Sequence, residues 1–95
     1  MGMDLLARCA APDVNALLAH LGSTCTVMMV DGQLHAPNAP VPAGWSDVRL
    51  RTPAGMLTLK RRPDGVAVVV FGNADAGLQA TQRQIADLLM KETAG

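Results

Sequence analysis

Hydrophobic positions along this chain recur with two different periods, and each change of period marks a change of element. Val14, Leu17, Leu18 and Leu21 fall at i, i+3, i+4 and i+7, the apolar stripe of an amphipathic helix. Pro12 suits the first helical position, Asp13 the first turn and Gly22 the stop. Leu5, Leu6 and Cys9 read as an earlier helical turn, broken before Pro12. From Thr24 to Val30 the residues are β-branched or apolar, and Asp31-Gly32 then supplies a two-residue hairpin signal. Gln33 to Ala36 reads as the short return strand. Pro37, Pro40 and Pro42 exclude both a helix and a central strand between residues 37 and 44. That segment is expected to be an extended proline-rich loop, with Trp45 pinning its far end to the core.

Two further hairpins follow. Val48, Leu50, Leu57 and Leu59 alternate with Asp47, Arg49, Arg51, Thr58 and Lys60. A turn centred on Ala54-Gly55 sets Leu50 against Leu59 and Arg49 against Lys60, so the leucines share one face; a one-residue slip would mix them with arginines. Pro63-Asp64-Gly65 reads as a three-residue turn that pairs Arg62 with Val66 and Lys60 with Val68. In that register Leu57, Leu59, Ala67, Val69 and Phe71 line the core, whereas Val66, Val68 and Val70 stand on the opposite face beside Thr58, Lys60 and Arg62. A strand apolar on both sides is usually covered on both sides.

The chain closes with a helix from about Asp75 to Met90, capped by Asn73 or Asp75 and striped by Leu78, Thr81, Ile85, Leu88 and Leu89. The expected fold is therefore a single α+β domain over residues 1–95, in two layers. It has an antiparallel sheet of about five strands, with the N- and C-terminal helices packed on one face.

The run Val48 to Arg51, Gly55-Met-Leu-Thr-Leu, Val66 to Phe71, then Gly72-Asn-Ala-Asp75 and a helix resembles the C-terminal half of Roadblock-type domains. The first helix followed by Val27-Met-Met-Val-Asp-Gly-Gln-Leu34 is similar to that family's opening helix and hairpin. The resemblance implies a small non-catalytic module that dimerises and serves as a platform for other proteins. A truncated GAF-like sheet is similar as well.

Composition narrows the picture. Ninety-five residues hold one core and no second domain, and a chain this long buries roughly 60–65% of its unfolded surface. Trp45 and Phe71 are the only aromatic residues, so the core must be aliphatic. Eight basic and eight acidic side chains cancel, which argues against bulk capture of nucleic acid or anionic lipid. The start of the chain has no basic leader with an apolar run behind it, and the apolar run around Val66 to Phe71 is too short to span a bilayer. A cytoplasmic protein with buried free thiols at Cys9 and Cys25 is the expectation.

Candidate chemistry is thin. Gly72-Asn-Ala-Asp-Ala-Gly77 superficially resembles a phosphate-binding loop but lacks the Lys and Ser/Thr that would meet phosphate and magnesium. Cys9, Cys25, His20 and His35 match no metal-ligand spacing, and Ser23, Ser46 and the cysteines have no base in evident context. No catalytic residue, cofactor or metal is expected. Two surfaces remain. Arg49, Arg51, Lys60 and Arg62 project from one sheet face and could hold an acidic protein or a phosphate backbone; the missing aromatic residues count against nucleic acid. Val66, Val68 and Val70 on that same face need a cover, either the proline-rich loop with Trp45 or another chain, for which a symmetric dimer is simplest. The expected function is a self-associating protein-interaction module that uses Arg49, Arg51, Lys60, Arg62, Val66, Val68 and Val70, with nucleic-acid binding by the basic residues as the rival.

Overall fold

A computed structural model of the chain describes residues 3–8, 14–21, 24–36, 39–42, 44–70 and 75–94. Cys9, Pro12, Asp13, Gly22, Ser23, Pro37, Phe71, Gly72, Asn73 and Ala74, and the roles expected of them, lie outside the described residues. Six strands and two helices follow in the order β1 (Met3–Arg8), α1 (Val14–Leu21), β2 (Thr26–Val30), β3 (Gln33–Leu34), β4 (Asp47–Thr52), β5 (Gly55–Arg62), β6 (Gly65–Val70) and α2 (Ala76–Ala94). The strands form one antiparallel sheet in the order β1-β6-β5-β4-β2-β3. This is an α+β protein.

The turns explain where strands begin. Asp31 and Gly32 both take positive φ, 53° and 82°, as a two-residue hairpin whose twist matches its strands requires. The Asp31 carboxylate then accepts hydrogen bonds from the amides of Ser46 and Asp47, at 2.8 and 2.9 Å, and fixes the start of β4. Pro53-Ala54 joins β4 to β5, and the Thr52 hydroxyl accepts from the Ala54 and Gly55 amides while donating to the Gly55 carbonyl. In α2, Asp75 is the cap: its carboxylate accepts from the Leu78 amide at 2.8 Å, satisfying one of the orphan donors of the first turn.

Four expectations change. Leu5 and Leu6 belong to a strand rather than a helical turn, because β6 would otherwise be an apolar edge and β1 completes its ladder. The sheet consequently has six strands. The β4–β5 turn is Pro53-Ala54, one residue earlier than expected, which shifts the pairing by two, so Leu50 faces Leu57 and Val48 faces Leu59. A shift of two preserves every face, and the leucines do share one. The β5–β6 turn is only Pro63-Asp64, so Leu59 faces Val68 and Arg61 faces Val66. That is a shift of one, and it exchanges the faces of β6. Val66, Val68 and Val70 are therefore core residues, each 0% exposed, in one cluster with Val48, Leu50, Leu57 and Leu59 of the sheet. The same cluster holds Val14 and Leu17 of α1, Leu78, Ile85, Ala86 and Leu89 of α2, and Val41 and Trp45 of the loop. Ala67 and Val69, expected inside, point the other way.

In β2 a bulge between Val27 and Met29 sets Val27 against Leu50 and Val30 against Val48, so both valines lie on the core side and Met29 does not. Trp45 is 2% exposed, and the Arg61 guanidinium sits 4.6 Å from its ring centre. The loop is tied to α1 by Asn15, whose amide donates to the Val41 carbonyl and accepts from the Val41 amide at 3.0 and 2.9 Å. Gln82 of α2, buried, donates to the Val68 carbonyl at 2.7 Å, which anchors the helix to β6.

Candidate functional site

Residues directly opposite in an antiparallel pair project on the same face, so the strand registers lay out the second face of the sheet row by row. One row reads Arg8, Gly65, Arg62; the next Leu6, Ala67, Lys60, Asp47. The third reads Asp4, Val69, Thr58, Arg49, Met29, Leu34, and the fourth Met56, Arg51, Thr26. Both helices and Trp45 belong to the core cluster on the other side.

The expected cations are brought together. Arg49, Arg51, Lys60 and Arg62 are all exposed on this face, held on β4 and β5 by alternation from their leucine neighbours. Arg61 leaves the set: alternation turns it to the core side, over Trp45. The structure adds Arg8, exposed at the end of β1 in the same row as Arg62. Reading Leu5 and Leu6 as helical hid it, although Met3, Leu5 and Ala7 alternate with Asp4 and Arg8 in the sequence. Five cations (Arg8, Arg49, Arg51, Lys60, Arg62) thus face two anions (Asp4, Asp47) among the described residues, a net of +3 in a chain whose total is zero. The acids at Asp31, Asp64 and Asp75 are spent in turns and a helix cap.

Between these charges runs a low strip. Gly65, Ala67 and Val69 of β6 and Thr58 of β5 are small, and Ala67, Val69 and Thr58 are only 4%, 7% and 4% exposed. Gly65 is required by the approach of β1: a Cβ there would overlap the Ala7 carbonyl oxygen. The strands on either side of β6 are about 10 Å apart, two strand spacings. Leu6 and Met56, 38% and 40% exposed, add apolar surface at the margins. The remaining partner-binding residues expected from the sequence, Val66, Val68 and Val70, do not reach this surface.

Among the described residues no group of three or more His, Cys, Asp or Glu side chains is placed to hold a metal ion. Cys25 is a free, buried thiol, and the His35 ring is 2.9 Å from the Ala39 carbonyl. Among the described residues no helix is long and apolar enough to cross a membrane. Comparison with protein-family models, curated proteins and solved structures gave no match.

Proposed function

We propose that this domain is a non-catalytic protein-interaction module that binds an acidic, extended protein segment on the helix-free face of its sheet. The observation that carries the reading is the sorting of charge: five cations flank a strip of small residues in a chain with no net charge. Sorting of this kind steers an oppositely charged partner and fixes its orientation more than it adds raw affinity. The strip along β6 gives a segment of extended backbone room to lie between the side chains of β1 and β5, with Leu6 and Met56 offering apolar contact. A non-catalytic platform is also the role that the Roadblock resemblance implies. Burial of Val66, Val68 and Val70 removes the apolar contact on which face-to-face self-association depended, and stacking two such faces would oppose like charges.

Nucleic acid is the competing ligand for the same cations. The face carries no aromatic side chain among the described residues, so bases would find nothing to stack on. Fluorescence anisotropy with a labelled peptide alternating Glu with Leu, and with a labelled mixed-sequence single-stranded oligonucleotide, separates the two. The peptide should bind at low salt, weaken as salt rises, and lose on the order of tenfold or more in affinity with Arg49→Glu plus Arg51→Glu. Absence of peptide binding, or binding indifferent to the double reversal, refutes the proposal. Tighter oligonucleotide binding that the reversal abolishes assigns the face to nucleic acid.

A further inference from the structure

The two edges of the sheet are unlike. β3 is an edge of two residues, short enough to template nothing. β1 is an edge of six residues, Met3–Arg8, in unbroken register with β6, and it carries no proline, no lysine and no bulge. Those are among the devices by which natural sheets blunt an edge; β1 carries instead one acidic and one basic residue, Asp4 and Arg8, which leave the edge charged but self-complementary.

The hydrogen-bond parity of that edge follows from the turns. A two-residue hairpin loop closes on a hydrogen-bonded pair, and such pairs alternate along an antiparallel ladder. Arg62 with Gly65 is the closing pair of β5–β6, so Gly65, Ala67 and Val69 bond toward β5, leaving Val66, Val68 and Val70 to bond toward β1. The β4–β5 turn gives the same parity independently, since Thr52 with Gly55 sends Leu57, Leu59 and Arg61 toward β4, and the Arg61 amide does donate to the Ser46 carbonyl at 2.8 Å. Met3, Leu5 and Ala7 stand opposite Val70, Val68 and Val66 and bond inward. The backbone groups of Asp4, Leu6 and Arg8 therefore point outward from the sheet.

From this parity and the opposite charges of Asp4 and Arg8 we infer that the β1 edge pairs with the β1 edge of a second copy of this chain, antiparallel about a two-fold axis at Leu6. Only registers that oppose outward-pointing residues with one another are open. Centring on Asp4 opposes Asp4 with its own copy, and centring on Arg8 does the same with arginine, both unfavourable for like charges directly opposite. Pairing Asp4 with Leu6, or Leu6 with Arg8, leaves one charged residue beyond the other strand's matching groups. Centring on Leu6 uses every outward group, gives about six backbone hydrogen bonds, sets Leu6 on Leu6 and places Asp4 opposite Arg8 of the second copy at both ends. Leu6, 38% exposed, gains cover, and the two sheets become one of twelve strands. The pairing is made by the edge backbone yet engages Leu6 and Arg8, which border the strip proposed for the acidic segment; Arg49→Glu with Arg51→Glu tests that reading without touching β1.

Sedimentation velocity over a wide concentration range, with circular dichroism to confirm the fold, tests it. Wild type should pass from monomer to dimer. Leu6→Pro removes an outward amide without touching the ladder to β6, and should leave a folded monomer. Asp4→Arg alone and Arg8→Asp alone should each weaken the dimer on the order of tenfold, and the double exchange Asp4→Arg with Arg8→Asp should restore it, because only this register makes the two charges partners. A chain that sediments as a monomer to its solubility limit overturns the inference. So does a dimer that survives Leu6→Pro, or one that the double exchange fails to restore.

Discussion

Truncating Val68 and Val69 in turn asks which way β6 faces. Val68 is 0% exposed and packed among Leu59, Leu5 and the helices; Val69, its chain neighbour, is 7% exposed on the face that no helix covers. Val68→Ala deletes two methyl groups from a closed core. Transfer of about 0.8 kcal/mol per carbon contributes about 1.6 kcal/mol. The cavity that the surrounding leucines cannot fill adds about 1 kcal/mol, for a total of about 2–3 kcal/mol. In a domain of this length that lowers Tm by about 10–20 °C. Val69→Ala removes the same atoms from a place that water can enter, so no closed cavity remains and the cost should stay near 1 kcal/mol. Urea unfolding followed by the emission of Trp45, the one tryptophan and a buried one, reads both variants against wild type. Equal losses, or a larger loss for Val69→Ala, would refute the register and with it the placing of Lys60 and Arg62 beside a strip of small residues.

Two smaller predictions concern what holds the frame. Asp75→Ala removes the only side-chain acceptor described for the first turn of α2 and should cost about 1 kcal/mol, with Asp75→Asn recovering most of it in the same unfolding assay. Asn15→Ala breaks both hydrogen bonds to Val41; it should destabilise by about 1–3 kcal/mol and raise amide exchange at Val41, whereas unchanged exchange there would show that the loop is held without α1.

Element type was largely legible in the chain because it depends on local period. The stripe of α1, the Asp31-Gly32 turn, the alternation of β4 and β5 and the Asp75 cap can each be read within a few residues, and for these neighbours in space agree with neighbours in sequence. The faces of β4 and the first half of β5 were legible as well, since leucines and charges alternate there and a pairing shift of two residues returns each side chain to its own side. β1 was not legible. Six residues with adjacent leucines fit either period, and what makes them a strand is the unpaired flank of β6 about sixty residues later.

The direction of β6 marks the limit most clearly. Val66, Val68 and Val70 on one side and Ala67 and Val69 on the other are apolar alike, so a register slip of one residue changes no local pattern and no pattern can detect it. The choice falls to bulk: the larger side chains go beneath α1 and α2, the smaller set lies where β1 must approach Gly65, and a loop of two residues instead of three is what allows both. By itself the sequence determined that a cationic hairpin face exists. Only the packing of helices against one side of the sheet decided that this face stands without the valines, and that Arg8 stands with it.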